Sequence, residues 1–184
     1  MFKVIPKDTF DNLQLDAGVL LKTFNPAAVT APEDTDIICA TTGGITATCT
    51  PTHSDLGDDV DNCPDNTKEL KHLDGWNCKL AFTSLGTSPE NIRLALGSAD
   101  VLTNKITPRS AIKQEDFQDI WWVGDRADGG CVAIVLKNAL STGGFSLKTQ
   151  KKGKGQTSCE LTGHVSINAQ DEVPMEFYSI DKQG

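Results

Sequence analysis

At 184 residues the chain fits one domain, or one domain with extended arms, and is long enough to bury a core without covalent staples. Its net charge of −8 favours cations or a basic surface as partners and repels anions. No apolar run approaches the ~18 residues of a membrane helix, and the opening M-F-K-V-I-P-K-D has neither an apolar h-region nor a small-residue cleavage site, so neither membrane insertion nor signal-peptide secretion is expected.

In chain order, L-Q-L-D-A-G-V-L-L-K-T-F reads as a strand or an irregular arm that ends at the turn signal Asn25-Pro26, and Gly18 weakens any helical reading. Residues 1–30 are therefore expected as an N-terminal arm. Residues 27–36 are rich in Pro, Ala and Thr and then acidic, a linker-like crossing. D-I-I-C-A-T-T reads as a strand, Gly43-Gly44 as its turn, and I-T-A-T-C-T as a second strand rich in β-branched residues.

Residues 52–75 are expected to project as a long loop. They carry Asp55, Asp58, Asp59, Asp61 and Asp65 before the first base, Lys68, and are punctuated by Gly, Pro and Asn. With Glu33, Asp34 and Asp36 these make eight acids and no base between Lys22 and Lys68; the other 17 acids balance the 17 bases. The whole net charge thus sits in one interval, and a connection of this length points to function or disorder.

Beyond the loop, W-N-C-K-L-A-F-T-S-L alternates, with Trp76, Cys78, Leu80 and Phe82 on one face, as in a half-buried antiparallel strand. A short helix follows, with Ser88 as N-cap, Pro89 at its first position, Glu90 in the first turn, Ile92, Ala95 and Leu96 on one face and Gly97 as the stop. Residues 101–107 read as one strand closed by Pro108. Two apolar runs around Asp128-Gly129-Gly130 form the strongest hairpin signal, its second arm apolar on both faces as a central strand should be. A further hairpin turns at K-K-G-K-G between G-F-S-L-K-T-Q and Q-T-S-C-E-L-T-G-H-V-S-I-N, and V-P-M-E-F-Y-S-I closes the chain with Pro174 at the strand start. About eight strands and one short helix predict a mainly β fold, an antiparallel β-sandwich or partly closed barrel.

The six cysteines form no C-x-x-C pair and are expected to be reduced, with Cys78 and Cys131 facing the core; the scattered His53, His72 and His164 offer no zinc pattern. Residues 58–65, D-D-V-D-N-C-P-D, contain the D-N-C-P of thrombospondin-type calcium repeats, but as a single copy without D-x-D-x-D-G spacing, so a solvated docking loop is favoured over a calcium site. K-K-G-K-G lacks the G-K-[ST] ending of a phosphate loop and reads as a solvated tip carrying Lys151, Lys152 and Lys154, with Lys148 just before it. No serine or histidine sits in a catalytic pattern, and His164 reads as a face residue of a strand. Adjacent Trp121 and Trp122 should point to opposite faces of their strand, the outward one being a candidate interface anchor.

These blocks together resemble a family. L-D-A-G-V-L-L-K, T-T-G-G-I, S-D-L-G-D-D-V-D-N-C-P-D-N-T-K-E-L-K followed by Trp76, I-W-W-V-G-D, A-L-S-T-G-G-F-S-L-K-T-Q-K-K-G-K-G-Q and V-P-M-E-F-Y are similar to the major tail (tail tube) proteins of long-tailed phages and prophages of Gram-positive bacteria, over nearly the whole chain.

The resemblance implies a single tail-tube-like domain, a β-sandwich with a flanking helix that forms hexameric rings lining a channel with a continuous β-barrel. The rings stack through long loops and terminal arms, and the genome is ejected through the channel without specific binding. It further implies no enzyme activity and no cofactor. Its partners would be other copies of the chain and the tape measure, distal tail and terminator proteins, with synthesis in the host bacterial cytoplasm and residence in the virion tail. The candidate inter-subunit residues are Asp55, Asp58, Asp59, Asp61, Asp65, Lys68, Lys148, Lys151, Lys152, Lys154, Trp121 and Trp122. The alternative from a different class is a monomeric cation- or carbohydrate-binding β-sandwich module using the same aspartates.

Overall fold

Strand is the main regular structure of the chain, and where a strand lies on the core its apolar and polar residues alternate. The computed structural model describes residues 4–182 and contains, among them, ten strands and one α-helix. In order these are β1 (Gln14–Leu21), β2 (Thr41–Asp55), β3 (Lys71–Ser84), α1 (Pro89–Leu96), β4 (Ala99–Leu102), β5 (Lys105–Pro108), β6 (Gln118–Arg126), β7 (Cys131–Ser141), β8 (Ser146–Lys148), β9 (Gln156–Thr162) and β10 (Met175–Ile180).

All pairings are antiparallel. One sheet runs β1-β6-β7-β10; the other runs β2-β3-β9, with β8 and the last residues of β7 along the far side of β9. Strand β7 belongs to both. It pairs with β6 and β10 through its first part and with β9 at Leu140 and Ser141, and Asn138, at φ +46°, makes the corner between them. The Asn138 amide is held at that corner by N–H donation to Asp119 and by its side chain donating to the His164 carbonyl.

The core lies between the two sheets. Leu20, Ile120, Ile134, Leu136 and Met175 come from the first, Cys78, Leu80, Phe82, Cys159 and Leu161 from the second. Burying one such side chain contributes roughly 1.5–3 kcal/mol. Helix α1 adds Ala95 to this cluster. Ser88 Oγ accepts from the Asn91 N–H, and Gly97 at φ +77° ends the helix with its N–H on the Arg93 carbonyl, so both termini form as the cap residues dictate. Ser141 Oγ donates to the Ala95 carbonyl and ties the helix to β7.

Several elements differ from expectation. Gly43 and Gly44 do not turn the chain: at φ +78° and +80° they form a bulge inside the continuous β2, between the Thr42↔Thr83 and Ile45↔Phe82 pairs. Residues 37–40 precede that strand and touch the first sheet through the single bridge Leu21↔Ile37. Residues 101–107 are not one strand but most of the β4–β5 hairpin, turning at Thr103, whose φ is +56°. Strand β9 stops at Thr162, because Gly163 and His164 peel away to donate to the Cys78 and Lys137 carbonyls. The N-terminal arm is shorter than residues 1–30: residues 14–21 are paired with β6, leaving 4–13 as the exposed lead-in, while residues 1–3 lie outside the described residues.

Candidate functional site

Residues 52–75 depart furthest from the expected loop. They are not one structureless loop. β2 and β3 stay paired from Thr41↔Ser84 out to Asp55↔Lys71, so the projection is a two-stranded ribbon and only residues 56–70 form the connection. Polar side chains on both faces hide this ribbon from a reading based on alternation. It still forms because two facing strands satisfy each other's backbone groups. A bulge at Asp74, between Thr52↔Gly75 and His53↔Leu73, is fastened by Ser54 Oγ donating to the Asp74 carboxylate at 2.6 Å.

The tip is built around Asp55. Its carboxylate accepts from the Gly57 N–H at 3.1 Å and the Asn66 N–H at 3.2 Å and pairs with Lys71 Nζ at 3.6 Å. With 11% of its side chain exposed, Asp55 is an internal clamp rather than a docking residue. The clamp folds the other acids outward: Asp58, Asp59, Asp61 and Asp65 are exposed, as is Lys68, which pairs with its neighbour Glu69. Leu56 and Val60 stand among them at 59% and 54% exposure, two apolar side chains that the charge count overlooks. Trp76 and Pro51 face each other at the ribbon's base, and Trp76, expected on the buried face, is 40% exposed because the sandwich ends beneath it.

The basic turn is equally exposed. Lys148 ends β8, and Lys151, Lys152 and Lys154 lie in the connection to β9; among the described residues none of the four forms an ion pair within the chain. Register fixes where this turn stands. β9 starts at Gln156 and pairs Thr157 with Ser84, the last residue of β3, whereas the acidic tip follows from Lys71, the first. The two charged turns are therefore at opposite ends of one sheet, separated by the length of β3, about 40 Å at the usual strand rise. They do not meet within one subunit.

Trp121 and Trp122 do point to opposite faces, but neither is a bare anchor. Trp122 packs against the core and donates from Nε1 to the Ala17 carbonyl at 3.0 Å. Trp121, on the outer face, lies between Phe24 and Tyr178, with ring centroids 5.5 and 5.6 Å away. His164 lies past the end of β9, with Nδ1 3.1 Å from the Asn138 carbonyl oxygen and its ring edge-on to Phe117. Those contacts pack it into the β7 corner.

The cysteines are free thiols, and two meet. Cys49 and Cys78 are directly opposite in the β2–β3 register, their sulfurs 2.9 Å apart. Burial, with Cys49 close by, pushes the Cys78 thiol up to about 12. Burial likewise raises Cys159 to about 12, with Cys39 adding to it.

No family model matches the chain, and no curated protein matches it significantly.

Proposed function

We propose that the chain is a self-assembling structural subunit of the tail tube kind, forming rings that stack around a channel for DNA ejection. The observation that carries this reading is the pair of oppositely charged turns at opposite ends of one sheet. A subunit whose two ends are complementary, and too far apart to satisfy each other, is suited to head-to-tail contact between copies. Contact of that kind is heterologous and repeats into rings or open stacks. Each exposed Lys–Asp pair contributes only about 0.2–1 kcal/mol, but several per contact, repeated around a ring, favour head-to-tail over head-to-head stacking because like ends repel.

Other features support the reading. The ribbon extends the reach of the acidic tip beyond the sandwich, and Leu56 and Val60 give it apolar surface to bury in a neighbour. The outer edge of β2 pairs with nothing else among the described strands and so is open to a further strand. An acidic chain lining a channel would not hold the phosphates of passing DNA, whereas a basic one would bind them in a salt-dependent way. In this reading the partners are other copies of the chain and the remaining tail components, and no chemical step is involved.

Negative-stain microscopy of the purified chain, at low and moderate salt and after prolonged incubation, tests the proposal. Rings or tubes are expected. A monodisperse monomer under every condition would contradict it and turn attention to a monomeric module binding cations or carbohydrate through the same aspartates.

A further inference from the structure

The ribbon has a weak foot, and a pair of thiols sits on it. β3 is supported by β9 only as far as Lys79↔Thr162, after which the Gly163 N–H donates to the Cys78 carbonyl and the chain turns away. From residue 77 back to residue 71, β3 pairs with β2 alone. An isolated two-stranded ribbon is marginal in water and prone to slip in register. The last rung with the core beneath it is Cys49↔Cys78: Cys78 is fully buried in the core cluster, and Cys49 packs against that cluster while remaining half-exposed.

The sulfurs on this rung are 2.9 Å apart. A disulfide requires about 2.0 Å between sulfurs, and directly opposite strand residues already hold their Cβ atoms at roughly 4.5–5.5 Å, close to the disulfide range. Closure therefore needs a small inward movement of two side chains and no change of register. Among the described residues no other pair of cysteines has its sulfurs in contact; Cys63, at the tip, is engaged with Thr67 and the Pro64 carbonyl instead.

We propose that Cys49 and Cys78 are a redox-addressable pair that a small-molecule disulfide, such as oxidised glutathione, closes into a cross-strand bond, locking the register of the projecting ribbon at its foot. Cys49, the reachable sulfur, attacks as thiolate on one glutathione sulfur, forming a mixed disulfide and expelling one glutathione thiolate. Cys78 then gives its proton to solvent and attacks the Cys49 sulfur, forming the Cys49–Cys78 bond and expelling the second glutathione thiolate. Two protein thiols are oxidised, one disulfide is reduced, and the two protons released end on the two glutathione thiols. Burial of Cys78 makes this second step the slow one, since the attacking species is the thiolate. The closed loop contains the entire outer ribbon and the acidic tip, so the bond restricts the unfolded chain as well as the ribbon. This holds for the single subunit whatever it assembles into.

The test uses the purified full-length chain, treated with oxidised glutathione under native conditions, then alkylated, denatured and mapped by peptide mass. The expected result is loss of two of the six free thiols, a linked peptide joining Cys49 to Cys78, and slower amide exchange in residues 50–55 and 71–77, all reversed by dithiothreitol. Cys49→Ser, at a half-exposed position, should abolish the linkage, and Cys63→Ser should leave it intact. Retention of all six thiols, glutathione left on Cys49 without resolution, linkage through any other cysteine, or a correct linkage with unchanged ribbon exchange would each overturn the proposal.

Discussion

One strand, β3, lives in two environments. Its second half alternates strictly, with Cys78, Leu80, Phe82 and Ser84 buried and the residues between them half-exposed, because one face lies on the core and β9 covers its edge. Its first half, residues 71–77, is largely exposed on both faces and held only by β2. The backbone pairing is continuous, so the difference lies in what the side chains meet. The inner half carries stability, while the outer half carries reach and charge.

The largest expected effect tests that division directly. Leu80→Ala removes a fully buried side chain and should cost about 2–5 kcal/mol in denaturant unfolding, whereas Leu73→Ala on the same strand should stay within about 0.5 kcal/mol. Equal costs would mean that the ribbon is part of the core after all.

Next comes acid stability, where a buried carboxylate is set against the exposed ones. Burial alone would raise the Asp116 carboxyl, but the Lys113 N–H and the Arg109 guanidinium outweigh burial and hold it below its ordinary value of 3.8. A depressed carboxyl stabilises the folded state above that ordinary value and loses the contribution as pH falls through the folded-state value. Asp116→Asn should therefore lower stability at neutral pH and flatten its decline below about pH 4. Asp58→Asn with Asp59→Asn, at the tip, should leave the unfolding midpoint at neutral pH unchanged. A parallel loss in both variants would remove the distinction between anchoring and displayed charge.

A smaller, local effect is expected at the clamp. Asp55→Ala takes away the acceptor for the Gly57 and Asn66 N–H groups and should speed amide exchange across residues 57–70 by roughly tenfold, the equivalent of about one hydrogen bond, while exchange in residues 78–84 stays as it was. Smallest of all is the response to calcium. Millimolar calcium should leave the melting temperature essentially unchanged, and a saturable rise abolished by Asp61→Asn would show that the tip is a cation site instead.

What was legible in the residues follows the same division. The inner half of β3, the helix with its Ser88 and Gly97 caps, the β6–β7 hairpin and the mainly β architecture could be read because burial on one face, or a specific cap, leaves a pattern. The ribbon could not, since a strand solvated on both faces has no alternation to detect and its Asn, Gly and Pro residues mimic a loop. Gly43-Gly44 was ambiguous for a related reason: two glycines at positive φ serve a bulge as readily as a turn. Treating them as a turn pairs β2 with itself and hides the Cys49↔Cys78 rung, which depends on β2 running uninterrupted beside β3. The five loop aspartates are legible as a cluster, but which one turns inward is not, because the clamp at Asp55 depends on the Asn66 N–H, eleven residues away along the chain, as well as on the nearby Gly57 N–H. Of Trp121 and Trp122 the residues alone say only that one points outward as a candidate anchor; nothing in them signals that this is Trp121 or that Phe24 and Tyr178 flank it.

In the proposed assembly the basic turn of one copy meets the acidic tip of the next. Its most direct test is assembly, followed by light scattering and counted by negative stain, for the unaltered chain, for Lys151→Glu with Lys152→Glu, and for that pair combined with Asp58→Lys and Asp59→Lys. The lysine reversal should impair assembly, and the combined variant should recover part of it. Assembly untouched by the lysine reversal, or a combined variant no better than the reversal alone, would show that the two turns do not meet.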